Sequence, residues 1–358
     1  MSEKRFLNGH EVLVEACIDA GAMQMFGYPI TPTTEILSGW INKSLQNKSL
    51  HYLQTEDEVA AGFAVCGAIM AGQKAFTATA GPGTVLMQDA LSMSDGMRLP
   101  FVALIGQRGG PSSGTVIYSQ QEVNLAIHGG NGEGLRIVLS PSNLEEMYIL
   151  TRKVFNYAYK YRFPSILLTD GYLLKTRQSF SLPEIKIENE NLVSLVDEAS
   201  QKNIRNIYTL EKELMSELEK NKQDFEKMSA EIVEFEIYLG DNSLDEIEDL
   251  IIAHGIVGTV AKEAVDELNK QNKKVALFRP VSLSPFPKDE LNKLAKNIKN
   301  IFVCESSLGQ LQDLVKQNLE VTTKISGIFK PAVGVEVEEI VDLVLNPSKA
   351  DKFNSSQV

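Results

Sequence analysis

The sequence predicts an α/β protein: a parallel sheet covered by helices on both faces, followed by a smaller α/β unit. Three observations carry this expectation. Over the first half of the chain, short apolar runs alternate with segments of helical periodicity, the pattern of a sheet buried on both faces. Glycine, proline and hydroxyl residues concentrate in the loops after those runs, at 28–34, 80–84 and 107–115. A charged stretch from 185 to about 245 then separates this half from a second alternating pattern.

The elements follow in order. Residues 8–21, NGHEVLVEACIDAG, read as a helix with Val12, Ala16 and Ile18–Ala20 as its apolar stripe and Gly21 as C-cap. MQMFGYP is a short strand that runs into the stiff loop YPITPTT, where Thr31, Thr33 or Thr34 can cap the next helix. SLHYLQTE is a strand. EDEVAAGFAVCGAIMAGQ is a helix with so many small residues that it must pack very close to a neighbour. KAFTATAGPG is a strand ending in a Gly-Pro-Gly turn, and TVLMQDALSMSDGM is the next helix. PFVALIGQRGGPSSG is a strand entering a glycine-rich loop. RIVLSPSN and PSILLTDG are strands flanking the helix LEEMYILTRKVFNYAYKY. In the charged stretch, Leu214, Leu218, Phe225, Met228 and Ile232 recur at helical spacing, as in a solvated helix with one apolar seam. Beyond it, DLIIAHG, KKVALFRPVSLSPFP and NIFVCESS are strands, each followed by a helix. The expected division is 1–182 for the first domain, 183–245 for a helical linker, 246–345 for the second domain and 346–358 for a disordered tail.

With 358 residues, 43% hydrophobic and 23% charged, the chain has material for two ordinary domains. No apolar run reaches the roughly 18 residues of a membrane span, and the N-terminus has no signal-type apolar run. Cys17, Cys66 and Cys304 are odd in number and far apart, which points to reduced thiols in a cytoplasmic setting. No C-x-x-C occurs, so neither an iron–sulfur cluster nor a structural zinc is expected on this chain. The net charge of −12 argues against nucleic acid, which needs a basic face.

Some motifs are weak. GIVGTV at 255–260 follows a strand but lacks G-x-G-x-x-G and a Walker lysine, so it reads as a tight strand-to-helix turn. TDG at 169–171 and GDN at 240–242 do not fit the Gly-Asp-Gly…Asn signature of a magnesium diphosphate site. The four histidines show no ligand spacing; only His128 sits in a loop of functional composition. Two others carry more. TEDEV at 55–59 puts three carboxylates at a helix start. Dipole complementarity accounts for Glu56 and Asp57. Glu58 precedes VAAGFAV and faces the packed side, where desolvation raises a carboxyl pKa and suits it to proton transfer. In GQRGGPSSG, Arg108 is the one cation between Arg98 and Arg136. It serves either a surface ion pair or a bidentate grip on a carboxylate.

The motifs GYPITPTTEI, TEDEVAAGFAVCGA, TATAGPGTVLMQ, QRGGPSSG, LSPSNLEEMY and RFPSILLTD stand in this order. Together they resemble the alpha subunit of 2-oxoacid:ferredoxin oxidoreductases of the 2-oxoglutarate and 2-oxoisovalerate type. FRPVSLSPFPKDEL and VCESSLGQL resemble the second domain of that subunit, and the resemblance spans roughly 6–320. It implies a pyrimidine-type thiamine diphosphate domain followed by a smaller transketolase C-terminal-like domain. It also implies conversion of a 2-oxo acid and coenzyme A to acyl-CoA and carbon dioxide, with electrons passed to ferredoxin. Thiamine diphosphate would lie between subunits. A beta subunit would bring the Mg2+–diphosphate site and 4Fe–4S clusters, and gamma and delta subunits would complete the complex. By the same resemblance Glu58 bonds the aminopyrimidine N1′, with Tyr28, Pro29 and Ile30 as further cofactor contacts. Thr31 lines the substrate and Arg108 holds its carboxylate. Pro29 and Pro32 stiffen the loop that presents the Thr31 hydroxyl.

One departure bears on substrate. The 2-oxoglutarate enzymes that this chain resembles carry P-S-T-G-x-P-T-K/R-x-x-Q-G-D, whereas residues 111–122 read PSSGTVIYSQQE. The basic residue is missing, and Val116, Ile117 and Tyr118 offer apolar surface instead. A branched or aromatic monocarboxylic 2-oxo acid is therefore expected ahead of 2-oxoglutarate. The rival readings are a non-oxidative thiamine-dependent decarboxylase or transferase subunit and a non-catalytic scaffold.

Overall fold

A computed structural model describes residues 4–187, 194–196 and 204–347. From 348 onward the tail expected to be disordered lies outside the described residues. The strands are β1 (Arg5–Asn8), β2 (Gln24–Gly27), β3 (His51–Gln54), β4 (Ala75–Thr79), β5 (Val102–Gln107), β6 (Ile137–Leu139) and β7 (Ser165–Asp170). They continue as β8 (Arg177–Phe180), β9 (Phe235–Tyr238), β10 (Asp249–Ile252), β11 (Val275–Pro280), β12 (Ser282–Ser284), β13 (Asn300–Glu305) and β14 (Lys324–Phe329).

The main sheet has seven strands in the order β12-β6-β7-β5-β4-β2-β3. All of its neighbours pair in parallel except β12, which lies antiparallel on β6. Every residue of β4, β5 and β7 is buried, as central strands covered on both faces must be. β3 is an edge strand, exposed throughout. The helices that cover the sheet start where the sequence offers caps: Asn8 with a Glu11 capping box, Asp57 on the Ala60 N–H and Asn143 on the Glu146 N–H. The small-residue helix Glu58–Met70 packs as closely as its composition requires. A Cβ at Gly62 would lie 2.6 Å from the Ala90 Cβ of the neighbouring helix Gln88–Gly96.

Three details differ from the expectation. Thr33 takes the N-cap position of the helix Thr34–Gln46, but its hydroxyl turns back to the Ile30 carbonyl (3.0 Å), so the loop's own turn captures it. The helix expected over 84–97 is interrupted at Met87. The segment KKVALFRPVSLSPFP is not one strand. β11 belongs to the second sheet, and β12, two residues on, crosses to the edge of the first.

The second sheet has five strands in the order β14-β13-β10-β11-β9, parallel but for β9. β9 falls inside the stretch expected to be a helical linker. Its alternation Phe235-Glu236-Ile237-Tyr238 was the signal for it. Within the same stretch the helix Glu211–Ile232 buries Met228 and Ile232 in the core of the first sheet, while Leu214 is exposed, so the apolar seam engages only toward its C-terminal end. One apolar cluster includes Ala103 and Ile105 of β5 together with Leu250 and Ile252 of β10, so the two sheets share a core. Arg279 of β11 reinforces the junction. Its buried guanidinium pairs with Glu236 (2.8 Å) and with Glu146 of the helix Leu144–Tyr161 (2.5 Å). Among the described residues no helix is long and apolar enough to cross a membrane.

Candidate functional site

The carboxyl ends of β2, β3, β4, β5 and β7 line one edge of the main sheet, set by registers such as Gly27 opposite Gln54 and Gln107 opposite Asp170. Ligands bind at this edge in open α/β sheets. Five segments emerge there: the loop 28–33, the helix start at Glu58, the turn 80–84, the loop after Arg108 and the turn at Gly171.

Glu58 is the first residue of its helix and is only 4% exposed. Asp57, not Glu58, caps the helix, with its carboxylate 2.7 Å from the Ala60 N–H. That leaves Glu58 Oε1 buried with no hydrogen-bond partner. Thr79 Oγ1, at the end of β4, is buried and unpartnered too. Both atoms face Gly83, where a Cβ would stand 2.3 Å from Glu58 Oε1 and 2.1 Å from Thr79 Oγ1. Burial pushes the Glu58 carboxyl above its usual pKa and the neighbouring Asp57 charge adds to this, while its own backbone N–H, Arg108 and the nearby Thr79 hydroxyl, which stands close but outside good hydrogen-bond geometry, pull the other way.

Arg108 follows β5 and is buried. Its Nη1 donates to the Thr31 carbonyl (2.8 Å) and its Nε is buried without a partner. The guanidinium lies over Gly81, whose Cβ would come within 2.7 Å of Nε. Gly81 holds φ +53, a conformation that favours glycine. Thr31 itself is exposed, on a loop pinned from the other side by the His10 Nε2–H, which donates to the Pro32 carbonyl (2.7 Å). The structure thus brings Thr31, Glu58 and Arg108 to one place. Tyr28 is exposed and Pro29 and Ile30 are half-buried on the same loop, at its rim.

Sequence reasoning missed Glu122. It is 4% exposed and accepts three hydrogen bonds: from the Gly81 N–H (2.9 Å), the Arg108 N–H (3.2 Å) and the Thr84 hydroxyl (2.6 Å). Burial raises its pKa as well, against those three donors. A signal existed: Glu122 is the one acid between Asp95 and Glu133, as Arg108 is the one cation of its stretch. One expectation is corrected. Val116 and Ile117 are exposed, but Tyr118 is buried, its ring stacked on Tyr172 with centroids 4.2 Å apart, so it offers no free apolar surface. The β7–Gly171 corner pulls the loop inward there, with no room beside Gly171 for a Cβ under the Ile117 carbonyl.

Residues 15–237 match the thiamine diphosphate-binding domain of the pyruvate flavodoxin/ferredoxin oxidoreductases, and residues 248–338 match core domain II of pyruvate:ferredoxin oxidoreductase. The chain belongs to this family. Within it, the chain is a 2-oxoacid:ferredoxin oxidoreductase subunit of the alpha type. The ketoisovalerate oxidoreductase subunit VorB of Methanothermobacter marburgensis is 31% identical over 90% of this chain and 93% of that protein. The 2-oxoglutarate synthase subunit KorA of Archaeoglobus fulgidus is 30% identical over 86% and 90%. Among solved structures, the 2-oxoglutarate:ferredoxin oxidoreductase of Magnetococcus marinus, with 2-oxoglutarate, coenzyme A and succinyl-CoA bound, superposes with TM-score 0.87 at 27% identity. It matches 96% of this chain, which spans 65% of that one. A split-gene transketolase shares the fold at 13% identity and TM-score 0.59. For a member of this family, the unpartnered Glu58 and Thr79 oxygens and the side-chain-free Gly83 between them form a cradle that fits a hydrogen-bonding heterocycle such as the thiamine pyrimidine.

Proposed function

We propose that this chain forms the pyrimidine side of a shared thiamine diphosphate site that oxidatively decarboxylates a monocarboxylic 2-oxo acid, branched or aromatic, to its acyl-CoA. Electrons leave to ferredoxin. The observation that carries the reading is the buried, unpartnered Glu58 Oε1 opposite Gly83, with the Arg108 guanidinium beside it. Thiamine diphosphate, when bound, supplies the nucleophilic carbon and the electron sink that this chemistry needs. Glu58 holds a proton at Oε1 and shares it with the pyrimidine, a task its raised pKa favours. Arg108 holds the substrate carboxylate through Nε and the guanidinium hydrogens not given to the Thr31 carbonyl. The Thr31 hydroxyl adds a donor from the rim, beside Tyr28, Pro29 and Ile30. Val116 and Ile117 present the apolar side of the mouth.

The Mg2+–diphosphate site and the 4Fe–4S clusters are assigned to a beta subunit, with gamma and delta subunits completing the complex. This chain's thiols support that division. Cys17, Cys66 and Cys304 are each buried in an apolar core, and burial pushes the Cys66 thiol up to about 12, far from a thiolate ligand. The unpaired thiols of Cys17, Cys66 and Cys304 support a reducing compartment such as the cytoplasm.

The test is coenzyme A-dependent viologen reduction by the native complex across a panel of 2-oxo acids. Branched or aromatic acids are expected to turn over fastest. A rate with 2-oxoglutarate alone would refute the substrate class and keep the reaction. No rate with any acid would refute the reaction.

A further inference from the structure

The Glu122 carboxylate is buried. All three of its hydrogen bonds run to the two segments that build the site: the Gly81–Thr84 turn that faces Glu58, and the Arg108 backbone. The segment that carries Glu122 is in turn gripped by the second sheet. Gln120 is fully buried; its Nε2–H donates to the His254 carbonyl (2.9 Å) and its Oε1 accepts from the Ser306 N–H (3.0 Å). The Gln120 N–H donates to the Ser306 carbonyl (2.9 Å). Gln310 closes the other side, donating to the Gln121 carbonyl (2.8 Å) and accepting from the Asn124 N–H (2.9 Å). His254, Ser306 and Gln310 all follow strands β10 and β13 of the second sheet.

We propose that Glu122 is a positioning residue for substrate binding: it fixes the Arg108 backbone and the Gly81–Thr84 turn as one unit, and the second sheet sets where that unit stands through Gln120 and Gln310. The inference rests on the reading of Arg108 as the carboxylate grip. A single acceptor group that ties both walls of a site holds their separation, and the guanidinium above Gly81 moves with it. The main-chain N–H groups of Gly81 and Arg108 are buried or half-buried and would lose their acceptor together if Glu122 were removed.

The experiment uses the assembled complex and three variants, Glu122→Ala, Glu122→Gln and Gln310→Ala. In Glu122→Ala the KM for the 2-oxo acid should rise about tenfold or more, while the KM for coenzyme A stays within about twofold. The Kd for the 2-oxo acid, read by calorimetry, should move with its KM. Glu122→Gln should recover most of the loss, because an amide oxygen still accepts the Gly81 and Arg108 N–H groups. Gln310→Ala should shift the 2-oxo acid KM in the same direction by less. If Glu122→Ala does not assemble, Thr84→Val removes only the hydroxyl bond and is read in the same way. A 2-oxo acid KM unchanged in the Glu122 and Thr84 variants, with any loss confined to kcat or yield, overturns the proposal, since destabilisation alone would look like that. An unchanged Gln310→Ala overturns the part assigned to the second sheet. If wild-type complex reduces no dye with any 2-oxo acid, the functional reading fails, and the proposal with it. If wild type is active and the variants match it, the proposal alone fails.

Discussion

Two buried glutamates stand at the carboxyl edges of the two sheets, and they are built in opposite ways. Glu305, at the end of β13, has both oxygens occupied. Oε2 accepts from the Ser307 hydroxyl and the Leu311 N–H (2.8 Å), and Oε1 accepts from the Gln312 N–H (2.9 Å). It fills the N-terminus of the helix Gln310–Asn318 with the chain's own carboxyl group. Asp57 caps the Glu58 helix instead, and Glu58 Oε1 stays buried without a hydrogen-bond partner. An unmade hydrogen bond on a buried group costs roughly 1–3 kcal/mol. The first sheet tolerates that cost at Glu58, Thr79 and the Arg108 Nε, all at one edge. At the matching edge of the second sheet His254 Nε2 is also buried without a partner, but Glu305 is satisfied, and the loops there hold Gln120 of the first domain. The first edge gathers unpaired buried atoms of three side chains, while the second pairs its carboxylate and holds the first through Gln120.

The largest effect should come from exchanging these two carboxylates for amides. Glu58→Gln is expected to lower kcat by about 10²–10⁴, the usual worth of a positioned acid–base group, without lowering the melting temperature. Glu305→Gln should do the reverse: a lower melting temperature, because an amide NH2 replaces one of the two oxygens that accept from the helix start, with KM values unchanged. Viologen turnover paired with thermal melts checks both. Full turnover in an assembled Glu58→Gln complex would return the chain to a scaffold role and erase the contrast between the two edges.

Two glycines come next. Gly83→Ala would place a methyl against Glu58 Oε1 and Thr79 Oγ1, within 2.3 and 2.1 Å. Overpacking of that kind destabilises by about 1–3 kcal/mol, and here it also fills the cradle. Gly67→Ala is exposed, inside the helix that Glu58 starts, and meets nothing within 4 Å. It should stabilise by about 0.5–1 kcal/mol through helix propensity alone. Opposite signs in denaturant unfolding, with thiamine diphosphate affinity lost only in Gly83→Ala, would sharpen the case for a cradle. An equal, small effect of both would break it.

How far the sequence foretold this edge depends on the range of the interaction. Local rules gave the strand–helix alternation, the close packing of the Gly62 helix and the burial of Glu58, because periodicity and small residues act within one element. Arg108 was legible as a lone cation in a loop. Glu122 was not singled out, because its meaning lies in three donors from distant segments. β12 was fused to β11, because nothing local tells a run of apolar residues to change sheets at Val281. Tyr118 was misread as surface because its partner, Tyr172, is supplied by another strand's end.

The smallest effect asks whether the first edge keeps other carboxyls out of balance too. Asp170, at the end of β7, caps the short turn after it through the Tyr172 and Leu173 N–H groups (both 2.9 Å), yet it is so fully buried that its pKa is pushed up to about 7. An unfolded aspartate titrates near ~3.9. Between those two values the folded chain binds more protons than the unfolded chain, so this group's contribution to stability falls as pH rises from about 4 to 7 and stays lost above that. Asp170→Asn keeps the cap acceptor and removes the ionisation. Its melting temperature relative to wild type should therefore be higher at pH 8 than at pH 5. A difference that does not change with pH would mean that Asp170 is as settled as Glu305. The imbalance at the first edge would then belong to the groups around Gly83 and Arg108 alone.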